Sequence, residues 1–125
     1  MMRIVTTALT VLVLASVPAL ADGDPVKGKA VFNKCKACHE NEKGVNKVGP
    51  TLKGVVGRKT ASVPDYKYSE AMLEYAKANP VWDDAHFLTY IENPKAAVPK
   101  TKMAFAGLKK EDERVNLLAY LKSMP

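Results

Sequence analysis

The stretch Phe32-Asn33-Lys34-Cys35-Lys36-Ala37-Cys38-His39 decides the reading, and it holds both cysteines of a 125-residue chain. Residues at i and i+3 share one face of a helical turn. Two thiols at that spacing can therefore bond to neighbouring positions along one edge of a flat molecule. His39, next in the chain, is set to present its imidazole to the middle of that molecule. Cys-x-x-Cys-His is the attachment signal for a c-type haem, with thioether bonds from Cys35 and Cys38.

Three other chemistries compete for these residues. A thioredoxin-like redox pair needs a βαβ setting, and no strand pattern occurs anywhere in the chain. A zinc site needs four ligands. Beyond Cys35, Cys38 and His39 the chain offers only His86, which has no partner at a ligand-like spacing. A Cys35–Cys38 disulfide would close a very small loop and stabilise little. His86 lies in a predicted helix and reads as a satisfied or solvent-facing side chain.

The N-terminus is a targeting segment. Met1-Met2-Arg3 gives a positive start, Ile4 to Val17 is apolar with scattered threonines, and Ala19-Leu20-Ala21 offers the small residues of a cleavage site. Residues 1–21 are expected to be a cleaved secretory signal and residues 22–125 the functional domain. Spanning a bilayer takes roughly 20 apolar residues, so a retained anchor is the competing reading; Pro18 and the Ala-x-Ala site favour cleavage. Arg3 is the only charge in the segment. Of 19 basic and 13 acidic residues, 18 and 13 remain, a net +5. A domain this small has a modest core and usually adds disulfides, a metal or a cofactor to it. Two cysteines are too few for a disulfide framework, so a cofactor is expected.

Proline and glycine punctuate the helical signals that follow. Asp24-Pro25 reads as an N-cap with proline at the first helical position, opening a helix that runs toward Cys35. Residues 40–64, with Gly44, Gly49-Pro50, Gly54, Gly57 and Pro64, read as loop. Ser69 caps a helix ending at Asn79-Pro80, and Asp83 caps another through Ile91, stopped at Asn93-Pro94. Residues 94–108 are expected to be irregular. Val115, Leu118 and Leu121 fall at helical spacing in a last helix over about 110–124. The class is all-α, with about four to five helices. Loops this long inside a compact domain need something to pack against, and a haem would supply it.

An electron carrier fills both axial positions of its iron with protein ligands, and a thioether opposite histidine raises the potential. Met72 sits in a short helix and Met124 in the last one, where packing explains them. Met103 lies instead in the loop Val98-Pro99-Lys100-Thr101-Lys102-Met103-Ala104-Phe105-Ala106-Gly107, with no apolar stripe to join.

That loop resembles the methionine-ligand loop of class I cytochromes c, with Lys100 where many members have glycine. The resemblance runs in order through Gly28 and Phe32, the haem motif, Gly49-Pro50-Thr51-Leu52, Gly57-Arg58-Lys59-Thr60, Tyr66-Lys67-Tyr68-Ser69, Trp82, Tyr90-Ile91-Glu92-Asn93-Pro94 and Leu117-Leu118-Ala119-Tyr120-Leu121. With the signal segment, it is similar to the soluble periplasmic bacterial kind close to mitochondrial cytochrome c. The resemblance implies the cytochrome c fold around one covalently bound haem c, with His39 and Met103 as axial ligands. Pro50 would accept from the His39 ring. Tyr68 and Trp82 would donate to a haem propionate, Arg58 would offset propionate charge, and Tyr90, Thr101 and Phe105 would belong to the methionine side. Phe32, Leu117 and Tyr120, with Gly28 allowing close approach, match the contact of first and last helices. Met72 stands where mitochondrial relatives carry asparagine, and the stretch from Met72 to Trp82 is about three residues longer than theirs.

Lys34, Lys36, Lys47, Lys95, Lys100, Lys102, Lys109 and Lys110 come from segments that would surround the haem edge of such a fold, with Glu111, Asp112 and Glu113 expected apart from them. An asymmetric positive field steers association with acidic partners. Nucleic-acid binding is the competing reading of a basic chain, but no recognition motif or stacking array accompanies the charge. The expectation is therefore a monomeric carrier of single electrons between membrane redox complexes with acidic docking surfaces. It would run from a quinol-oxidising complex to a terminal oxidase or photosynthetic reaction centre, and would not itself be an enzyme. The alternatives are a haem peroxidase or a haem-based ligand sensor, both of which need an open sixth position.

Overall fold

The structure is a computed structural model that describes residues 23–125. The expected signal 1–21 and its cleavage point lie outside the described residues. Five helices follow: α1 (Pro25–Phe32), α2 (Glu70–Ala78), α3 (Asp84–Glu92), α4 (Pro94–Ala97) and α5 (Glu111–Lys122). Among the described residues the only β pairing is an isolated antiparallel bridge between Lys59 and Val81.

The helix starts sit where side-chain acceptors meet unpaired amides. Asp24 accepts from the amides of Val26 at 2.8 Å and Lys27 at 3.3 Å, Ser69 from Met72, and Asp83 from His86 at 2.7 Å. Helix α5 has no side-chain cap; its first turn instead carries Glu111, Asp112 and Glu113, which favour the positive end of the helix dipole.

Two elements differ from expectation. Helix α1 stops at Phe32 instead of continuing to the cysteines. Beyond it the chain tightens into turns, with the Cys35 amide bonded to the Phe32 carbonyl at 2.8 Å and the Cys38 amide to the Cys35 carbonyl at 3.1 Å. The segment 94–108 is also not wholly irregular. Asn93 accepts from the Ala96 amide at 3.2 Å and Pro94 takes the first helical position, so the dipeptide that ends α3 also starts the single turn α4.

Helix α1 crosses α5 at Gly28, where an added Cβ would overlap the Asn116 carbonyl. That approach lets the Phe32 and Tyr120 rings meet at 5.6 Å. Phe32, Leu117 and Leu121 are only 1–2% exposed, each such side chain contributing about 1.5–3 kcal/mol by burial. Helix α2 has no fully buried residue; Met72 and Tyr75 lie half-buried against the core, as does Met124 from the C-terminal end.

The long loops are held by backbone pairs. The Trp82 amide donates to the Arg58 carbonyl at 2.9 Å, the Gly57 amide to the Trp82 carbonyl at 2.6 Å, and the Thr60 amide to the Pro80 carbonyl at 2.9 Å. This short antiparallel pairing sets Arg58 and Trp82 side by side, although 24 positions separate them in the chain.

Candidate functional site

Cys35 is half-buried and Cys38 exposed, both as free thiols. Burial pushes the Cys35 thiol up to about 11, with Lys34 pulling it the other way and Cys38 adding to the rise. It stays protonated at neutral pH, the inert form of cysteine.

The His39 ring is fixed from two sides. Its Nδ1 lies 2.7 Å from the Pro50 carbonyl. A carbonyl only accepts, so Nδ1 carries the proton and the Nε2 lone pair is left for a metal. Burial holds the imidazole below its usual value, the positive charges of Arg58 and Lys47 add to that, and the Pro50 bond opposes it. Gly49 leaves the ring room, since a Cβ there would overlap it.

Glu40 knots the loop carrying Gly49 and Pro50, and sequence reasoning missed it. Its carboxylate accepts from the amides of Glu42, Lys43 and Val45 and from the Thr51 hydroxyl. Burial raises this carboxyl, but the four donors outweigh it and hold it at about 2. The available signal was a glutamate followed at once by a short glycine-containing loop, with Gly44 at φ +73°.

In a second group the Tyr90 hydroxyl donates to the Met103 sulfur at 3.4 Å, and Thr101 Oγ1 accepts from the Met103 amide at 3.2 Å. Burial pushes the Tyr90 phenol up to about 12, Tyr75 adding to the shift and a hydrogen bond with Thr101 opposing it. Met103 and Phe105 are half-buried against the core.

Arg58, Tyr68 and Trp82 form the third group. Arg58 Nη1 donates to the carbonyls of Thr51 at 2.8 Å and Lys53 at 3.0 Å. Its Nε is buried with no partner, as is Thr60 Oγ1. The Tyr68 oxygen accepts from the Val63 amide at 3.0 Å, which leaves the phenolic proton to donate. Trp82 is buried against Tyr90, edge to face at 4.9 Å.

Haem fits this donor set. A buried guanidinium N–H without an acceptor costs on the order of 1–3 kcal/mol, and a haem propionate is an anionic acceptor of the kind Arg58 Nε lacks. The two thiols and the Nε2 of His39 suit thioether attachment and iron ligation. No cluster of three or more histidine, cysteine, aspartate or glutamate side chains suited to a metal ion occurs among the described residues.

The lysines are not equivalent. Lys34 pairs with Glu113 at 3.3 Å, so the acidic start of α5 reaches one of them and is not wholly apart. Lys47 donates to the Lys36 carbonyl and Lys109 to the Glu92 carbonyl at 2.8 Å. Lys36, Lys95, Lys100, Lys102 and Lys110 are exposed and, among the described residues, in no ion pair. His86 is satisfied on both ring nitrogens, by Tyr75 and by Val81.

Comparisons with known proteins give the family. The family model described as Cytochrome c matches residues 25–125. Cytochrome c-554 of Methylosinus trichosporium is 50% identical over 104 residues, covering 82% of this chain and 76% of the relative. Cytochrome c-550 of Nitrobacter winogradskyi is 54% identical over 101 residues, covering 79% and 89%. The solved structure of cytochrome cH from Methylobacterium extorquens superposes with a TM-score of 0.73 at 41% identity, over 81% of this chain and 99% of that one. The chain belongs to the cytochrome c family, with its all-α fold and one covalently attached haem c.

Proposed function

We propose that the protein is a soluble, monomeric, periplasmic carrier of single electrons. It takes them from a quinol-oxidising membrane complex and delivers them to a terminal oxidase or photosynthetic reaction centre, and catalyses no reaction of its own. Among the described residues no helix is long and apolar enough to cross a membrane.

When bound, the haem supplies an iron that changes between ferric and ferrous states. Cys35 and Cys38 would tether the ring. His39 would ligate through Nε2, its ring orientation set by the Pro50 carbonyl. Met103 would supply the second protein ligand through its sulfur and so exclude water and small ligands from the iron. Tyr68 and Trp82 would donate to a propionate, and Arg58 would offset its charge. The exposed lysines steer the carrier onto acidic docking surfaces and let it leave quickly.

The observation that carries this reading is the Tyr90–Met103 contact at 3.4 Å. It fixes the thioether from the protein side, with Thr101 bracing the backbone of the same residue. A methionine held in this way supports a protein-supplied second iron ligand, which suits electron transfer and opposes ligand binding or peroxide chemistry. The test is an optical spectrum of the oxidised holoprotein. The far-red sulfur-to-iron band is expected in the wild type and lost in Met103→Ala. Its absence from the wild type, or rapid carbon monoxide binding by the reduced protein, would overturn the reading.

A further inference from the structure

We propose that His86 is a positioning residue for Trp82 and the proton site through which the reduction potential of the bound haem follows pH. The inference rests on the carrier reading and on Trp82 as a propionate donor.

His86 is tied at its backbone amide and at both ring nitrogens. Its backbone amide donates to the Asp83 carboxylate at 2.7 Å. Nδ1 lies 2.7 Å from the Val81 carbonyl, so that nitrogen bears a proton. Nε2 lies 2.6 Å from the Tyr75 hydroxyl, and in the neutral ring it accepts from it. These bonds lock the imidazole flat on the Trp82 indole, with centroids 4.1 Å apart and planes 9° from parallel. Tyr90 belongs to the same aromatic cluster, meeting Trp82 at 4.9 Å and Tyr75 at 6.1 Å. The imidazole and the phenol are walls that hold the indole at one angle.

The same geometry ties charge to the indole. Protonation at Nε2 turns that nitrogen into a donor to the Tyr75 oxygen, and the phenolic proton turns away. A cation then lies over the indole face, an attractive arrangement, where it withdraws density from the ring and strengthens its N–H as a donor. A positive charge on this side favours the reduced haem, which carries one positive charge less. One-electron reduction by an external donor is therefore coupled to partial uptake of one solvent proton at His86 Nε2, and by linkage the proton binds better to the reduced protein.

The other charged or titratable side chains on the segments around this site are Tyr75 and the exposed Glu74–Lys77 pair on α2, Asp83, Asp84 and Tyr90 at or on α3, Lys122 of α5 paired to Asp84 at 2.8 Å, and Arg58, whose backbone pairs with that of Trp82. Histidine is the side-chain class whose unperturbed charge changes between pH 5 and 8.

The test measures the midpoint potential of the holoprotein from pH 5 to 8 in wild type, His86→Phe and Tyr75→Phe, alongside proton NMR titration of the wild-type imidazole in both oxidation states. The wild-type potential is expected to fall as pH rises, at up to a tenfold change in the redox equilibrium per pH unit, or 59 mV for one electron. His86→Phe keeps an aromatic stack and is expected to lose that slope. Tyr75→Phe is expected to move its pH midpoint, and the imidazole is expected to titrate at higher pH in the reduced protein. A slope that survives in His86→Phe, a midpoint unmoved in Tyr75→Phe, or identical imidazole titrations in the two oxidation states would each overturn the inference. The NMR arm needs no variant to fold. If the sulfur-to-iron band is present while these outcomes fail, the carrier reading stands and this inference alone falls.

Discussion

Gly49 backs directly onto the imidazole of His39: a Cβ built on Gly49 would overlap the ring at Cε1, with Nδ1 and Nε2 each 2.8 Å away. The backbone cannot retreat, because the Gly49 amide is bonded to the Cys38 carbonyl at 2.8 Å and the next residue holds the His39 Nδ1. Gly49→Ala must therefore push the ring or break one of those bonds. Overpacking of this kind costs about 1–3 kcal/mol. Thermal unfolding of the holoprotein is expected to fall by on the order of 4–8 °C per kcal/mol lost.

Lys100 has φ +68° in the loop that carries Met103. The left-handed region costs a non-glycine residue about 1–2 kcal/mol, and glycine recovers part of that while adding freedom to the unfolded chain. Lys100→Gly is expected to stabilise the holoprotein by roughly 0.5 kcal/mol in urea unfolding. Retention of the sulfur-to-iron band would show that the gain does not come from moving Met103.

The attachment motif and the caps Asp24, Ser69 and Asp83 were legible because each depends on residues a few positions apart. The Pro50, Met103, Arg58 and Tyr68 positions were reached through ordered resemblance, which carries pairings that local pattern cannot. What stayed hidden was long-range or fine-grained. The end of α1 at Phe32 turns on a shift from i+4 to i+3 bonding that leaves no mark in composition. The single turn α4 is one residue pattern with two meanings, since Asn93-Pro94 stops one helix and starts another. Tyr75 lies in the longer stretch between Met72 and Trp82, so no matched motif pointed to its bond with His86. Glu40 gathers four donors that are unremarkable singly.

Burial raises the Tyr75 phenol above its ordinary value. The folded state therefore prefers the neutral phenol, and ionisation begins in the unfolded chain near the ordinary value of about 10. The stability this group contributes is complete below about pH 10 and is lost as pH rises through its folded value. Tyr75→Phe is expected to be about 1 kcal/mol less stable at pH 7, the size of one hydrogen bond. That gap should narrow above pH 10 in denaturant titrations, and a gap constant with pH would refute the assignment.

Lys34 is already engaged by Glu113, whereas Lys102 is exposed and in no ion pair among the described residues. Steering depends on net field, so removing a neutralised charge also releases an acid and changes the field in the same sense as removing a free one. The structural cost differs: Lys34→Ala also loses an exposed pair worth about 0.2–1 kcal/mol. Both variants are expected to slow association with an acidic redox partner at low salt, seen by stopped-flow. Only Lys34→Ala should lower the unfolding midpoint as well.

Gly28 is the point where α1 and α5 touch backbone to backbone. An added Cβ would meet the Asn116 carbonyl carbon at 2.6 Å and the Tyr120 Cβ at 2.7 Å. Neither partner is a flexible side-chain end, so the helices have to separate. Separation would loosen Phe32 from Tyr120, whose rings lie 5.6 Å apart, and would pull on the Asp24 amide bonded to Asn116 at 2.8 Å. Gly28→Ala gains helix propensity of about 1 kcal/mol, yet overpacking costs about 1–3 kcal/mol and here also strips burial from two aromatic rings. The net expectation is a less stable protein in urea unfolding, with the haem spectrum unchanged because neither His39 nor Met103, the two proposed iron ligands, lies on α1 or α5. A stabilised Gly28→Ala would mean that the two helices do not meet at this residue.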